Sequence, residues 1–239
     1  MKRFLRRGAA MLLALAILLL GGCAEGEGEV QKVGKKLIKE YLAGRGEIEE
    51  CYADVQRPDA DKLIVSDYAK GTFRMGGESY EFAVNVVTGE IWTSERTAEC
   101  TDCCLRLLEA RLGLEPAACK ARCAMWTHAP AWQTPNEDYP DETAYLGQVV
   151  PVGIEDMDAY AAQAIADGNI RVDAHIFCTE LLSEDRWTLD DTADWDYVTV
   201  CLYAVDELPQ EEITYDLASG FKGTWMQLTS EEIVRKTDG

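Results

Sequence analysis

Cysteines are the side chains whose spacing most clearly suggests chemistry. Two pairs, each with three intervening residues, lie close together: Cys100 with Cys104, and Cys119 with Cys123. The pairs Cys100–Cys123 and Cys104–Cys119 share one midpoint in the sequence, close to Gly113. Two antiparallel helices that meet at this glycine would place the members of each pair side by side, as two disulfides require.

The same spacing resembles the twin C-x3-C helical hairpins of small intermembrane-space chaperones, and only their geometry carries over. Four thiolates would also suit a structural zinc ion, and reduced cysteines packed in a core are the third alternative. An even number of cysteines outside Cys23 favours disulfides in an exported chain. Cys178 and Cys201 are the next predicted pair, which leaves Cys51 and Cys103 free or paired with each other.

Acidic residues crowd one segment of the carboxyl-terminal half. Asp190, Asp194 and Asp196 lie there with Trp187 and Trp195. Their carboxylates are candidate ligands for Ca²⁺, which takes six to eight oxygens, and a solvated acidic loop is the simpler interpretation. Two carboxylates with the tryptophans as a sugar platform would instead suit glycoside hydrolysis.

The two histidines suggest no catalytic site. His175 is predicted on the solvated face of a strand, and His128 follows the cysteine-rich segment. Both are interpreted as exposed residues without a catalytic role. The sequence also lacks a nucleophile elbow, a phosphate loop, a dinucleotide fingerprint and a His-Glu-x-x-His zinc helix.

The amino terminus carries a tripartite leader. Basic residues lie within positions 2–7, an apolar run extends from Ala9 to Leu20, and small residues precede Cys23. The run is too short to span a bilayer, so residues 1–22 are predicted to be a signal peptide. The segment Leu20-Gly-Gly-Cys23 resembles the lipobox of bacterial lipoproteins. That resemblance implies cleavage before Cys23, a covalent diacylglycerol on its thiol, no other cofactor, and a location on the outer face of the cell membrane.

The net charge of the chain restricts the classes of partner that it can bind. The chain has a formal charge of −20, and because the leader holds four basic and no acidic residues, the mature part has −24. Nucleic acids require a basic surface, so they are excluded as partners. Anionic lipid would also repel this chain, so the lipid anchor must supply the membrane contact.

Local patterns place these residues in an α+β chain. Residues 23–29 are predicted to be a lipidated tether, and residues 30–96 a module of one helix and an antiparallel meander. The meander ends on Tyr80-Glu-Phe-Ala-Val-Asn-Val-Val-Thr-Gly-Glu-Ile-Trp92, which resembles the last hairpin of PepSY-type extracytoplasmic domains. The resemblance covers residues 30–94 and implies a helix packed on antiparallel strands, a role in binding or inhibiting partners, and no catalytic residues.

The remaining chain is predicted to contain three segments. Residues 97–128 form the helical hairpin, with helices at Thr97–Leu112 and Pro116–Trp126. Residues 129–153 are a proline-rich linker, and residues 154–239 a second α+β module. In that module a helix at Glu155–Ala166 is predicted to pack on a small antiparallel sheet, with strands at Asn169–Glu180, Asp196–Val205, Glu212–Leu217 and Thr224–Leu228.

These features predict a membrane-anchored extracytoplasmic lipoprotein that is more readily explained as a non-catalytic module than as an enzyme. Its expected partner is a peptide, an envelope polymer or an exported protein. The alternative is a cell-surface hydrolase that uses paired carboxylates in the acidic half. Two carboxylates converging in a pocket beside Trp187 or Trp195 would favour the hydrolase.

Overall fold

A computed structural model describes residues 26–59, 62–128, 145–179, 186–193 and 195–237. Cys23, the leader and the first residues of the tether lie outside these ranges, as do Asp194 and residues 129–144 of the predicted linker. The chain is an α+β protein, as the sequence predicts. Among the described helices, none has the length and apolar character needed to cross a membrane.

The described residues form four α-helices and eleven strands. The helices are α1 (Gly26–Leu42), α2 (Thr97–Leu112), α3 (Met157–Ala166) and α4 (Tyr215–Ser219). The strands are β1 (Gly46–Asp59), β2 (Lys62–Met75), β3 (Glu78–Asn85), β4 (Ile91–Thr93), β5 (Cys119–His128), β6 (Tyr145–Gly147), β7 (Val150–Pro151), β8 (Ile170–Cys178), β9 (Val198–Ala204), β10 (Thr224–Leu228) and β11 (Ile233–Thr237).

Two compact units divide the described residues. The first comprises residues 26–95 and 146–153, and the second comprises residues 96–128, 145 and 154–237. The cysteine-rich segment 97–128 is therefore part of the second unit, whereas the sequence analysis treated it as a hairpin between two modules.

The first unit is a five-stranded antiparallel sheet in the order β1-β2-β3-β4-β7, with α1 packed on it. Val33, Ile38 and Leu42 bury one side of α1, and lysines occupy its other side. Residues 26–29 of the predicted tether are helical and continuous with the rest of α1, and Glu27 and Glu29 there are exposed.

Local turn chemistry fixes the hairpins of this sheet. Gly76 and Gly77 adopt φ angles of 64° and 93° between β2 and β3, a region that favours glycine. In the next turn, the Asn85 side-chain oxygen accepts hydrogen bonds from the backbone N–H groups of Val87 and Thr88, at 2.9 and 3.0 Å. Strand β2 continues from Lys62 to Met75 and pairs with both β1 and β3.

Five strands of the second unit form one sheet in the order β11-β10-β9-β8-β5. Strands β8 and β9 pair in parallel, so this sheet is mixed and the prediction of a purely antiparallel sheet is wrong. The connection from residue 179 to 197 exceeds the dozen residues that a parallel crossover needs. Buried side chains of β8 alternate along the strand, at Ile170, Val172 and Ala174, as expected for a strand with one covered face.

The predicted second helix of the cysteine hairpin is wrong. A short 3-10 turn at Pro116–Ala118 leads into β5, which pairs with β8 over nine residues. A spacing of four residues brings Cys119 and Cys123 to one face of a helix, but it equals two full repeats of a strand as well. The spacing alone therefore did not distinguish the two structures, and pairing with β8 decides for the strand.

Two further predictions fail. The predicted strand Glu212–Leu217 is replaced by the start of α4, which is capped by the Thr214 side chain accepting a hydrogen bond from Leu217 N at 3.1 Å. Part of the predicted linker 129–153 forms strands instead, since β7 adds to β4 at the edge of the first sheet.

Candidate functional site

The predicted disulfides are absent, because no disulfide joins the cysteines of the described ranges. Cys178 and Cys201 lie on neighbouring strands, but Cys178 is opposite Ala204 and Cys201 is opposite His175. Their positions therefore differ by three residues, which directs the two side chains to opposite faces of the sheet. The predicted Cys178–Cys201 pair is incompatible with this register.

A cluster of thiols lies between α2 and β5. Cys100 and Cys104, one turn apart on α2, are both buried and hydrogen-bonded to each other, and Cys123 of β5 lies beside them. The bond to Cys100, followed by burial, raises the pKa of Cys104, and burial raises the pKa of Cys123 to about 12. Cys104 and Cys123 therefore stay protonated near neutral pH, which makes them poor nucleophiles. The hydrogen bond with Cys104 has the opposite effect on Cys100 and lowers the pKa of that thiol.

The four sulfurs of the twin motif do not surround one point. Cys119 precedes Cys123 on β5 by four residues, or about 13 Å. Within the ranges that the structure describes, no three His, Cys, Asp or Glu side chains are arranged to hold a metal ion. Of the calcium candidates, Asp190 lies in a 3-10 turn and Asp196 lines a cavity, while Asp194 lies outside the described residues.

That cavity is the strongest candidate site in the second unit. It encloses about 320 Å³ at the edge where β8 and β9 begin and where β10 turns into β11. Two segments, residues 195–199 and 229–232, and two single residues contribute its walls. The lining residues are Tyr145, Arg171, Trp195, Asp196, Tyr197, Val198, Thr199, Thr229, Ser230, Glu231 and Glu232.

Three acidic residues line the cavity from two sides. Asp196 precedes β9, and Glu231 and Glu232 lie in the turn between β10 and β11. The hydroxyl of Thr229 accepts hydrogen bonds from the backbone N–H groups of Glu231 and Glu232, at 3.3 and 3.1 Å. Thr229 O in turn accepts a hydrogen bond of 2.8 Å from the Thr192 hydroxyl, so the turn is fixed to the body of the unit.

One guanidinium lines the cavity, and its charge is already compensated. Arg171 lies 3.3 Å from the Asp173 carboxylate and is hydrogen-bonded to Tyr145. The bond with Tyr145, followed by the charge of Asp173, raises the pKa of Arg171. With Arg171 balanced by Asp173, the remaining formal charge of the lining is that of three carboxylates.

His128 forms an aromatic layer beside this cavity. The ring lies edge-on to two cavity tyrosines, with centroids 4.7 Å from Tyr145 and 4.5 Å from Tyr197. The residue is only 4% exposed, and neither ring nitrogen has a hydrogen-bond partner among the residues that the structure describes. Burial, followed by the charge of Arg171, lowers the pKa of His128. The prediction that His128 is exposed is therefore wrong.

His175 is also less exposed than predicted. It is half-buried on β8, where its Nδ1 lies 2.9 Å from the Tyr203 hydroxyl and the two rings stack. Burial lowers the pKa of His175. The neighbouring Cys201 thiol has its pKa raised by burial, so the pair lacks the activated thiolate that nucleophilic catalysis requires.

The tryptophans do not form the sugar platform that the hydrolase hypothesis requires. Trp195 is 1% exposed and Trp187 is 6% exposed. The Trp187 indole N–H donates to Leu112 O at 3.1 Å, which holds this ring in the interior. The exposed aromatic surface at the cavity belongs to Tyr145 and Tyr197, which the sequence analysis did not select.

Neither a protein-family model, nor a curated protein, nor a solved structure matches this chain. Function must therefore be argued from the geometry of the chain itself.

Proposed function

We propose that the chain is an extracytoplasmic lipoprotein, anchored to the outer face of the cell membrane by a diacylglycerol on Cys23. The leader and its resemblance to a lipobox support this location. Two acyl chains, at about 0.8 kcal/mol per buried methylene, give stable anchoring where a single chain would not. Replacement of Cys23 by alanine should abolish labelling by radioactive fatty acid and leave a precursor with its leader attached. Normal lipid labelling of the C23A variant would contradict the anchor.

We further propose that the mature chain is a non-catalytic binding module and that the cavity of the second unit takes a positively charged group. The excess of carboxylates over the compensated Arg171 is the observation that carries this proposal. The exposed rings of Tyr145 and Tyr197 would add cation–π attraction at the mouth. A lysine, arginine or terminal amine of a peptide or exported protein suits such a site. The PepSY resemblance of residues 30–94 also implies a binding or inhibitory role.

The charge hypothesis is tested with matched peptides. Peptides that differ only in one central residue, lysine, norleucine or glutamate, should bind in that order of decreasing affinity by calorimetry. Because exposed ion pairs contribute about 0.2–1 kcal/mol each, Asp196→Asn should weaken the lysine peptide by up to about fivefold. Raising the salt concentration should weaken it as well.

A matched variant separates the cavity from general charge. Asp190→Asn removes the same charge from an exposed position that does not line the cavity, so it should leave the affinity unchanged. Equal affinity for the lysine and glutamate peptides, or equal losses in the D190N and D196N variants, would contradict the proposed site.

A cell-surface hydrolase is the second candidate. The observation that favours it is the presence of Asp196, Glu231 and Glu232 in one cavity, next to Trp195. A hydrolase of this kind needs one carboxyl as acid and another as base or nucleophile. Turnover of an envelope glycan that is lost in both D196N and E231Q variants, but retained in D190N, would establish the hydrolase and overturn the non-catalytic proposal.

A further inference from the structure

Strands β5 and β8 bring two cysteines directly opposite each other. Their antiparallel register pairs Cys119, the first residue of β5, with Cys178, the last residue of β8. The nine pairs from Cys119–Cys178 to Thr127–Ile170 follow without a register shift. The two side chains therefore emerge on the same face of the sheet, at the same level.

The phase of the hydrogen-bond ladder decides how close the two cysteines lie. At one end, Thr179 N donates to Ala118 O at 3.1 Å, and at the other end His128 N donates to Asn169 O at 2.9 Å. Both bonds join directly opposite residues, so the pairs with an even-numbered β5 residue are the hydrogen-bonded ones. The cysteines at 119 and 178 thus form a non-hydrogen-bonded pair.

Such pairs have the geometry of a cross-strand disulfide. Directly opposite Cα atoms are about 4.5 Å apart at non-hydrogen-bonded positions, compared with about 5.5 Å at hydrogen-bonded ones. A disulfide requires Cα atoms about 4.4–6.8 Å apart, and the Cβ atoms approach most closely at non-hydrogen-bonded positions. The register therefore places both cysteines within reach of a bond without movement of the backbone.

We propose that Cys119 and Cys178 form a disulfide when the protein meets an oxidising disulfide. The inference rests on the proposed exported location only for the supply of that oxidant, which in the cell envelope would be an exported thiol–disulfide oxidoreductase. The competing partner Cys201 is directed to the opposite face of the sheet. The competing partner Cys104 lies beside Cys123, four residues farther along β5.

The solvent exposure of the two thiols determines the order of the two thiol–disulfide exchange steps. Cys119 is half-buried, whereas Cys178 is fully buried and donates its S–H to Tyr203 O at 3.6 Å. The Cys119 thiolate attacks one sulfur of the oxidant, forms a mixed disulfide and releases the other sulfur as a thiolate. The Cys178 thiolate then attacks the Cys119 sulfur and releases the second. The two cysteines lose two protons and two electrons, and the oxidant becomes two thiols.

The bond would close a loop around part of the candidate site. The chain between the two cysteines contains 58 residues, including Tyr145 and Arg171 of the cavity lining. Covalent closure of this loop restricts the unfolded chain, so the oxidised protein should resist unfolding more strongly than the reduced protein.

Peptide mapping tests the pairing directly. The full chain, purified in mild detergent under reducing conditions, is equilibrated in glutathione buffers of increasing oxidised fraction, quenched with acid and blocked with N-ethylmaleimide. Trypsin then releases residues 112–120 and 172–186, which contain Cys119 and Cys178 as their single cysteines. The expected product is these two peptides joined, with the loss of two hydrogens.

Three variants decide the outcome. C201S should retain the linked product, and both C178S and C119S should lose it; C119S provides the test if the buried C178S variant fails to fold. A link from residues 172–186 to residues 187–222, which contain Cys201, would overturn the proposal, as would single glutathione adducts without a link. A chain that links in vitro but is recovered reduced from cells supports the pairing and contradicts the exported location instead.

Discussion

The contact between α1 and the first sheet depends on one glycine. A Cβ atom added at Gly34 would lie 2.2 Å from the Ala69 Cβ, whereas the Ala69 Cα and the Cys51 Sγ would be 3.7 Å away. Carbon atoms normally pack at about 3.5–4.0 Å. Because Ala69 is completely buried on β2, it cannot turn away, so the helix or the strand must move by more than 1 Å.

Gly34→Ala should therefore destabilise the first unit despite alanine's preference for helices. Overpacking a core costs about 1–3 kcal/mol, while the change from glycine to alanine in a helix contributes up to about 1 kcal/mol of stability. We expect a net loss of up to about 2 kcal/mol. Hydrogen–deuterium exchange of peptides from residues 26–42, with urea titration of the full chain, measures it.

Gly28 provides the matched control on the same helix. A Cβ added there meets no atom within 4 Å, so Gly28→Ala should be neutral or stabilising by up to about 1 kcal/mol. The difference between the two variants isolates the clash, at about 1–3 kcal/mol.

Removal of the Ala69 methyl group should reverse the sign of the stability change that Gly34→Ala causes. In an Ala69→Gly background, Gly34→Ala places its methyl where the Ala69 methyl was, so it should stabilise the helix as Gly28→Ala does. The double-mutant cycle should give a coupling of about 1–3 kcal/mol between the two positions. A coupling near zero, or a stabilising Gly34→Ala in the unaltered background, would refute the close contact.

Two further predictions concern the second unit. Burial lowers the pKa of His128 below its value in the unfolded chain, so the unfolded state takes up a proton first as the pH falls through about 6.5. The free energy of unfolding should therefore decrease in that pH range. His128→Phe should reduce this pH dependence in urea titrations at pH 5–8, and an unchanged dependence would contradict the prediction. Thr229→Val removes the hydroxyl that fixes the β10–β11 turn and should cost about 1 kcal/mol and weaken binding of the lysine peptide, whereas Thr224→Val at the other end of β10 should not weaken binding.

Features with a local cause could be predicted from the sequence. The apolar side of α1 follows the helical repeat, and Gly76-Gly77 marks a hairpin because few other residues adopt its backbone angles. The α+β class follows from these elements. Strand order does not, since the parallel pairing of β8 with β9 and the addition of β7 to β4 depend on contacts between distant segments.

The cavity, like the strand order, could not be predicted from local sequence patterns. Asp196 was selected because it lies in an acidic run, but Tyr145, Arg171 and Glu231 come from segments far apart in the chain. No local spacing relates them, so only the sheet order brings them together. The sequence predicts an exposed His128 after the cysteine-rich segment, whereas the structure buries it against Tyr145 and Tyr197.

A single assignment, strand instead of helix for β5, accounts for most of the corrected chemistry. Alternation along the strand places Cys119 and Cys123 on the face that carries buried residues of β8, and it places Trp126 and His128 on the other. The first face leads to the pairing with Cys178 through the register, and the second brings His128 to the tyrosines of the cavity. Formation of the Cys119–Cys178 bond and the pH dependence of His128 therefore report on opposite faces of one strand. A two-residue register shift between β5 and β8 would separate Cys119 from Cys178 but leave each side chain on its face of the sheet. A one-residue shift would disrupt both the cysteine pair and the position of His128.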